Sequence, residues 1–569
     1  MTTDHPLPAA AMSTRRLAVA AIGVSLAALA AFVWRLLPDV GFWDTAIFQS
    51  APPVLGLTHP TGFPTYLLVG WAWVHLLPFL VPATALNLMT AIAGALAVGL
   101  VFVLAARLGA GVLPAAAGAL AVGYTAIFWR TAARADPHPL HVLLALGVLL
   151  LLLEWDRRRD WRLLAGAALV FGLGMGNHAL TVMLVPGIAV FVLTARPRVL
   201  REPRTVAIAA LTLAAGLLVY VYVPLRAAAN PPIHHDYAPT TWTLFWRYVL
   251  GQDFAGSMGF LSVDGPAAAV RDLAVFAGRF GDALTPPIAI GLAWLGLVGA
   301  VALVARGSYR SAWLLLATAG LTLYARLTYA NGEIERYTLF PIAVLGALAA
   351  VGAQKVWDYI RDARPALHRG SLRWIPGVLL LAPLALLPIN ADHASSMSAR
   401  CYVDAVVADL PARAYLVSWW SMSTPIWYAQ AVEGSRPDVE VVNADSTAPD
   451  EVGRRWGEGR PIYLVESSDN AQRVRDGGFT LEKTSFCGFD AWRVTGRGTP
   501  AGMTGNLLGA TFASGTGGAA DRSVPDAATN KTTRPLRSPQ RGRDDADDSQ
   551  RWTAGTLPRV GRGTCGSTG

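Results

Sequence analysis

ALNLMTAIAGALAVGLVFVLAAR, residues 85–107, decides the fold class. The stretch holds no acid, and its one base, Arg107, is its last residue. Its 23 residues suit a helix crossing a hydrocarbon core about 30 Å thick. Comparable runs recur from Leu17 to about Ala391 and then almost cease. The whole chain of 569 residues is 53% hydrophobic and only 15% charged, against about 25% charge in a typical soluble domain. The pattern predicts a mainly α, polytopic membrane protein with about eleven transmembrane helices. The expected spans are 17–37, 85–107, 112–132, 138–154, 162–178, 179–195, 205–225, 284–305, 311–329, 338–355 and 374–391.

The net charge of +9 sits mostly in short loops, so it reads as topology rather than as a nucleic-acid surface. Arg15 and Arg16; Arg157, Arg158, Arg159 and Arg162; Arg196, Arg198, Arg201 and Arg204; Arg306 and Arg310; and Lys355, Arg361, Arg364, Arg369 and Arg373 form five basic clusters. All lie on the cytoplasmic side if the apolar stretch 65–81, which is interrupted by Pro78, does not fully cross. That stretch is therefore expected to be interfacial or re-entrant. The run behind Arg15 and Arg16 is long for a signal sequence and no small-residue cleavage site follows, so it is expected to be an uncleaved first span. The outer face then receives 38–84, 133–137, the turn at Asn177 and His178, 226–283, 330–337 and everything after about residue 392.

The expected domains are a cytoplasmic N-terminus (1–16), a transmembrane domain (17–392), an exported soluble α/β domain (393–497) and a disordered tail (498–569). In the soluble domain Ala414–Ser418, Val439–Asn443 and Pro461–Glu466 read as short buried strands, with helices such as Pro425–Glu433 and Ala471–Asp476 between them. It lacks a nucleotide-binding glycine fingerprint and reads as accessory or acceptor-recognising. The tail is rich in Gly, Ser, Thr, Arg and Asp with few aliphatics. Of three cysteines, Cys401 and Cys487 flank the soluble segment and can pair if it is exported. No CxxC or Cys/His metal spacing is present.

Polar chemistry converges on the outer segments. Gly41-Phe42-Trp43-Asp44 puts a carboxylate just beyond the first span. Such an acid is either solvated at the interface or functional. Thr58-His59-Pro60-Thr61-Gly62-Phe63-Pro64 is a rigid turn that holds His59 beside the Asp44 loop, a pairing suited to taking a proton from a hydroxyl. Phe128-Trp129-Arg130 through Arg134, Asp136, His138 and His141 offers a second acid with cations, or an interfacial cap with Trp129 in the aromatic belt. Gly172-Leu173-Gly174-Met175-Gly176-Asn177-His178 has small residues at helix-packing spacing, not a phosphate loop, since it follows an apolar span rather than a strand. Tyr220-Val221-Tyr222-Val223-Pro224-Leu225-Arg226 ends on an outer-side arginine, against the positive-inside bias, which either snorkels or grips phosphate. His234 and His235 follow as a polar loop pair. Asn331-Gly332-Glu333-Ile334-Glu335-Arg336-Tyr337 forms a short outer turn in which Glu335 and Arg336 bind substrate or pair with each other.

An acid after the first span, a His-Pro-x-Gly-Phe-Pro turn, a Phe-Trp…acid segment, a glycine run ending Asn-His, and Tyr-x-Tyr-x-Pro-Leu-Arg…Asn-Pro occur here in this order over roughly residues 15–340. Together they resemble a bacterial polytopic membrane family of formerly unknown function. That family is related to a eukaryotic transmembrane protein O-mannosyltransferase and is grouped with the GT-C superfamily. The resemblance implies a GT-C fold and sugar transfer from a polyprenyl-phosphate donor to an exported protein or glycan hydroxyl, with inversion. It implies catalytic roles for Asp44 (general base), His59 and Asp136, and substrate binding by His138, Asn177, His178, Arg226, Glu335, Arg336 and Tyr337. Two departures stand out: Ile47 replaces the glutamate often found three residues after the first acid, and Asp136-Pro137-His138 replaces Glu-x-Tyr. No nucleotide site is needed, because the donor is already lipid-linked. A divalent metal is compatible with the reading but no spacing calls for one. A transporter or lipid flippase would also have many spans, yet it would typically show repeated halves with broken helices at the midplane, and none is visible. A non-catalytic assembly protein is the other alternative.

Overall fold

A computed structural model describes residues 13–233, 238–257, 286–329, 333–363, 394–444, 446–465 and 468–498. Ten of the expected spans have a helical counterpart: Thr14–Trp34, Pro82–Arg107, Val112–Gly123 with Ala126–Ala132, Pro137–Arg158, Trp161–Asn177, Ala179–Leu184 with Val185–Ala195, Pro203–Leu217 continuing to Ala229, Pro286–Ala305, Tyr309–Thr328 and Leu339–Ala363. The eleventh, 374–391, lies outside the described residues, as do His234, His235, Asn331, Gly332 and the tail beyond Gly498.

Among the described residues, five helices are long and apolar enough to cross a membrane, or six if the pair Val112–Gly123 and Ala126–Ala132, bent by 68°, is one span. The expected spans thus differ in kind. The bend falls at Tyr124-Thr125, where the Thr125 hydroxyl accepts from the Phe128 amide and caps a new helix start. Val185–Ala195 has 11 residues and is preceded by a 3-10 turn. The ambiguous stretch 65–81 forms the helix Pro64–Leu76. At 1.5 Å per residue its 13 residues reach only about 20 Å, short of a 30 Å core.

Side-chain exposure fits a lipid-facing surface. Val19 is 64% and Leu211 69% exposed on otherwise apolar helices. Small residues let the helices approach: a Cβ on Gly172 would lie 3.0 Å from the Cα of Gly216. The glycine run is therefore a helix-packing surface. Among the described residues, the basic loops near Arg159, Arg196, Arg310 and Lys355 meet at one end of the bundle. There Arg310 lies 3.7 Å from Asp156, Arg159 donates to the Ala195 carbonyl at 2.7 Å, and Gln354 accepts from the Gly111 amide at 2.9 Å.

The C-terminal region carries one five-stranded sheet in the order β2-β1-β3-β5-β4. Its strands are β1 (Tyr415–Ser418), β2 (Glu440–Asn443), β3 (Ile462–Val465), β4 (Phe479–Phe486) and β5 (Phe489–Arg497). The first three strands fall where expected and pair in parallel; β4 and β5 form an antiparallel hairpin that adds to β3. Cys401 and Cys487 are disulfide-bonded, with Cα atoms 5.7 Å apart. The core of this domain is not closed on itself. Val40, Ala46 and Ala83 of the membrane region pack into one buried cluster with Tyr402, Val406, Leu416, Ile426 and Tyr428.

Candidate active site

Asp44 sits in the first turn of the short helix Trp43–Ser50, where a carboxylate is favoured by the helix N-terminus. Its side chain is 23% exposed. Each oxygen has a partner: Oδ2 accepts from Arg336 Nη2 at 2.9 Å and Oδ1 from Trp420 Nε1 at 2.9 Å. Burial works against ionisation, but the adjacent His59, the Arg336 guanidinium and the two hydrogen bonds outweigh it and hold the carboxyl down at about 2.

Asp136 is the N-cap of the helix Pro137–Arg158 and is fully buried. Its Oδ1 accepts from the His138 amide at 2.8 Å and lies 2.7 Å from His138 Nδ1, while Oδ2 accepts from Arg336 Nη1 at 2.8 Å. Burial again opposes the charge, yet Arg336 and His138 pull the Asp136 carboxyl well below the usual range. Arg336 therefore bridges both acids. It also donates from Nε to the Glu333 carbonyl at 3.1 Å, and Arg134 pairs with the Glu333 carboxylate at 2.8 Å. The Ile47 side chain is fully buried with Phe48, Leu57, Phe63 and Tyr66, and the second carboxylate paired with Arg336 belongs to Asp136.

A buried amide joins the two acidic loops. Asn87 donates to the carbonyls of Leu37 (2.7 Å) and Asp39 (3.3 Å) and accepts from Gln49 Nε2 (2.9 Å) and the Ala135 amide (2.8 Å). Asn87→Ala strips all four at a fully buried position, where each unpaired group is costly. The expected result is a destabilisation of roughly 2–4 kcal/mol, read as a lower thermal midpoint of the detergent-purified protein. An unchanged midpoint would show that the loops are held some other way.

His59 packs edge-on against Phe48, Phe63 and Trp420 at centroid distances of 5.7, 5.2 and 5.8 Å. Burial lowers its pKa despite the nearby Asp44 charge, so the ring is neutral at neutral pH. The remaining expected site residues divide. His138, His178 and Tyr337 form an aromatic cluster beside Asp136, with His138 and His178 centroids 4.5 Å apart and Tyr337 5.3 Å from His138. Asn177 donates to the Pro137 carbonyl at 3.0 Å and so braces the Asp136 turn. Glu335 is set apart from the two acids; its carboxylate is 42% exposed and lies 3.8 Å from Arg326. Arg226 donates to the carbonyls of Leu55 (2.6 Å) and Val54 (3.4 Å). Tyr222 and Tyr248 donate to Gly56 and Thr58 at 2.6 and 2.7 Å. The Tyr-x-Tyr-x-Pro-Leu-Arg segment thus fastens the first loop. Among the described residues no group of three or more His, Cys, Asp or Glu side chains is placed to hold a metal ion.

Trp420 and Asn87 are the residues that sequence reasoning missed. The signal for Asn87 was available, since an asparagine within an apolar span is costly unless it bonds. Trp420 carried none, because it lies 376 residues from Asp44.

Residues 44–201 match the family described as "Protein O-mannosyl-transferase TMEM260 N-terminal domain". The mouse protein O-mannosyl-transferase TMEM260 is 24% identical over 455 residues, covering 74% of this chain and 62% of the mouse protein. The chain thus spans about three fifths of that relative's length. Among solved structures, ArnT from Cupriavidus metallidurans bound to undecaprenyl phosphate superposes with a TM-score of 0.53 at 12% identity, covering 84% of this chain and 98% of ArnT. Apo ArnT gives 0.50 at 14% identity, covering 85% and 98%. The chain is a multi-pass membrane protein with the GT-C fold, similar to the mouse TMEM260 protein O-mannosyl-transferase and matched by the TMEM260 N-terminal-domain family model over residues 44–201.

Proposed function

We propose that this protein is a membrane glycosyltransferase that moves a sugar from a polyprenyl-phosphate donor to a hydroxyl of an exported protein or glycan. The observation that carries the reading is the pair of acids, Asp44 and Asp136, fastened by one buried arginine on the first and second outer loops. The relatives add the chemistry: one is named a protein O-mannosyl-transferase, and a structure of the same fold holds undecaprenyl phosphate. Mannose is accordingly the first sugar to try.

In this mechanism Asp44 takes the acceptor proton while the hydroxyl oxygen attacks the anomeric carbon from the face opposite the phosphate. The carbon–oxygen bond to the phosphate breaks and the polyprenyl phosphate leaves with the electron pair. A carboxylate titrating at about 2 is a weak base toward a free alcohol. The alcohol becomes strongly acidic as its bond to the sugar carbon forms, so the proton moves late, to a base that is already ionised. Asp136 holds Arg336, and Arg336 holds Asp44, in one geometry. Arg134 and Arg336 are offset by Glu333, Asp44 and Asp136, so Arg226, whose partners are carbonyls, is the cation that serves the leaving phosphate. The described basic loops at the other end of the bundle, taken with the positive-inside bias, support a reading with the active site and the C-terminal domain on the non-cytoplasmic side.

The test uses the purified full chain with radiolabelled undecaprenyl-phosphate mannose and a panel of other undecaprenyl-phosphate sugars, offered with membrane and cell-wall acceptors. Label appearing in protein or glycan from one donor supports the reading. No transfer from any donor overturns it.

A further inference from the structure

The C-terminal domain reaches the acids directly. Its helix Trp420–Ala431 lies on the first outer loop along one face, at positions four residues apart. Trp420 Nε1 donates to Asp44 Oδ1 at 2.9 Å, Thr424 Oγ1 donates to the Trp43 carbonyl at 2.9 Å, and Tyr428 Oη accepts from the Ala83 amide at 3.2 Å. Trp419 stands edge-on to Trp43 at 5.0 Å, and Trp420 edge-on to His59 at 5.8 Å. At the rim, Arg400 grips Asp39 through two hydrogen bonds of 2.9 and 2.7 Å and also binds Glu433. The buried cluster shared by Val40, Ala46 and Ala83 with Tyr402 and Tyr428 makes this seat part of the core.

We infer that Trp420 is a positioning residue of the transfer site, lent by the C-terminal domain to fix the orientation of the Asp44 carboxylate. The inference rests on the proposed function and deepens it. Arg336 holds one oxygen of Asp44 and leaves the carboxylate free to turn about that contact. A neutral indole N–H on the other oxygen removes that freedom without adding charge. The lone pairs left over on Asp44 then point in one direction, as a base must when it meets a single hydroxyl. The C-terminal domain is in this sense a component of the catalytic centre, and seating it is a precondition for turnover.

The experiment compares wild type, Trp420→Phe and Arg400→Gln as full-length protein. Phenylalanine keeps an aromatic ring in the seat and removes the donor; the Arg400 change loosens the seat without touching either acid. With undecaprenyl-phosphate mannose, or whichever donor is active, Trp420→Phe is expected to lower kcat about tenfold or more, with the donor KM held within about twofold. A second readout needs no turnover. In protein carrying 15N-labelled tryptophan, one indole N–H resonance disappears in Trp420→Phe. That same resonance is expected downfield in wild type, to shift on Asp44→Asn, and to broaden or move upfield in Arg400→Gln. Wild-type kcat in Trp420→Phe, or a Trp420 resonance indifferent to Asp44→Asn, overturns the inference while leaving the glycosyltransferase reading intact. A wild-type protein that transfers no sugar overturns that reading and the positioning role with it, even if the resonance still reports the hydrogen bond.

Discussion

Asp44→Asn is expected to cut sugar transfer by roughly 10²–10⁴-fold, the usual contribution of a positioned general base, while donor binding stays near the wild-type value. Asparagine matches aspartate in shape and can still accept from Trp420, so the loop keeps its seat. Arg336 keeps Asp136 and the Glu333 carbonyl as partners. The protein should therefore insert and purify normally, and the loss should fall on kcat rather than on KM. The pH dependence follows from the same contacts. The Asp44 pKa is depressed to about 2, so the carboxylate is ionised at every pH used for an assay. The stabilisation it draws from Arg336 is complete above the ordinary carboxylate pKa and is lost only as pH falls through about 2. An acid limb near pH 4 that vanished in Asp44→Asn would contradict this placement.

Arg336→Met is expected to be the most damaging single change to stability, costing about 3–5 kcal/mol. Removing the guanidinium leaves Asp136 with its full charge, fully buried, and with His138 as its remaining partner. Asp44 suffers less because its side chain is 23% exposed and keeps Trp420. The asymmetry gives a sharp check. Adding Asp136→Asn to Arg336→Met removes the orphaned charge, and the double variant should recover a large part of the lost thermal stability. It should not recover transfer, because Asp44 has still lost the contact that fixes it. Additive destabilisation in the double variant would show that Asp136 does not depend on Arg336.

Much of this arrangement is legible in the sequence, and the limits have physical causes. Apolar length locates the helices from Pro82–Arg107 to Leu339–Ala363, because a crossing helix must satisfy its own backbone. It does not reveal that Val112–Ala132 bends by 68°, since the bend depends on one threonine cap. The first three strands of the C-terminal sheet are visible as short apolar runs. The helix expected at Pro425–Glu433 begins instead at Trp420, and that first turn is the part that meets Asp44. The acids themselves stand out because carboxylates at a membrane edge are expensive. Their common partner does not, because Asp44 and Arg336 are 292 residues apart. Arg226 shows the converse. It stands out at the end of an apolar segment, yet its guanidinium is engaged with the carbonyls of Val54 and Leu55, a contact that no local pattern encodes.

The measurement that tests the central claim most directly is the anomeric configuration of the transferred sugar. Given undecaprenyl-phosphate mannose of β configuration, a single displacement with Asp44 as base on the acceptor must yield an α-linked product, identified by the one-bond carbon–proton coupling at the anomeric centre. An α linkage is the result this account predicts. A β linkage would mean transfer with retention, by double displacement or by attack from the face of the departing phosphate, and the assignment of Asp44 as base on an acceptor opposite the phosphate would be wrong.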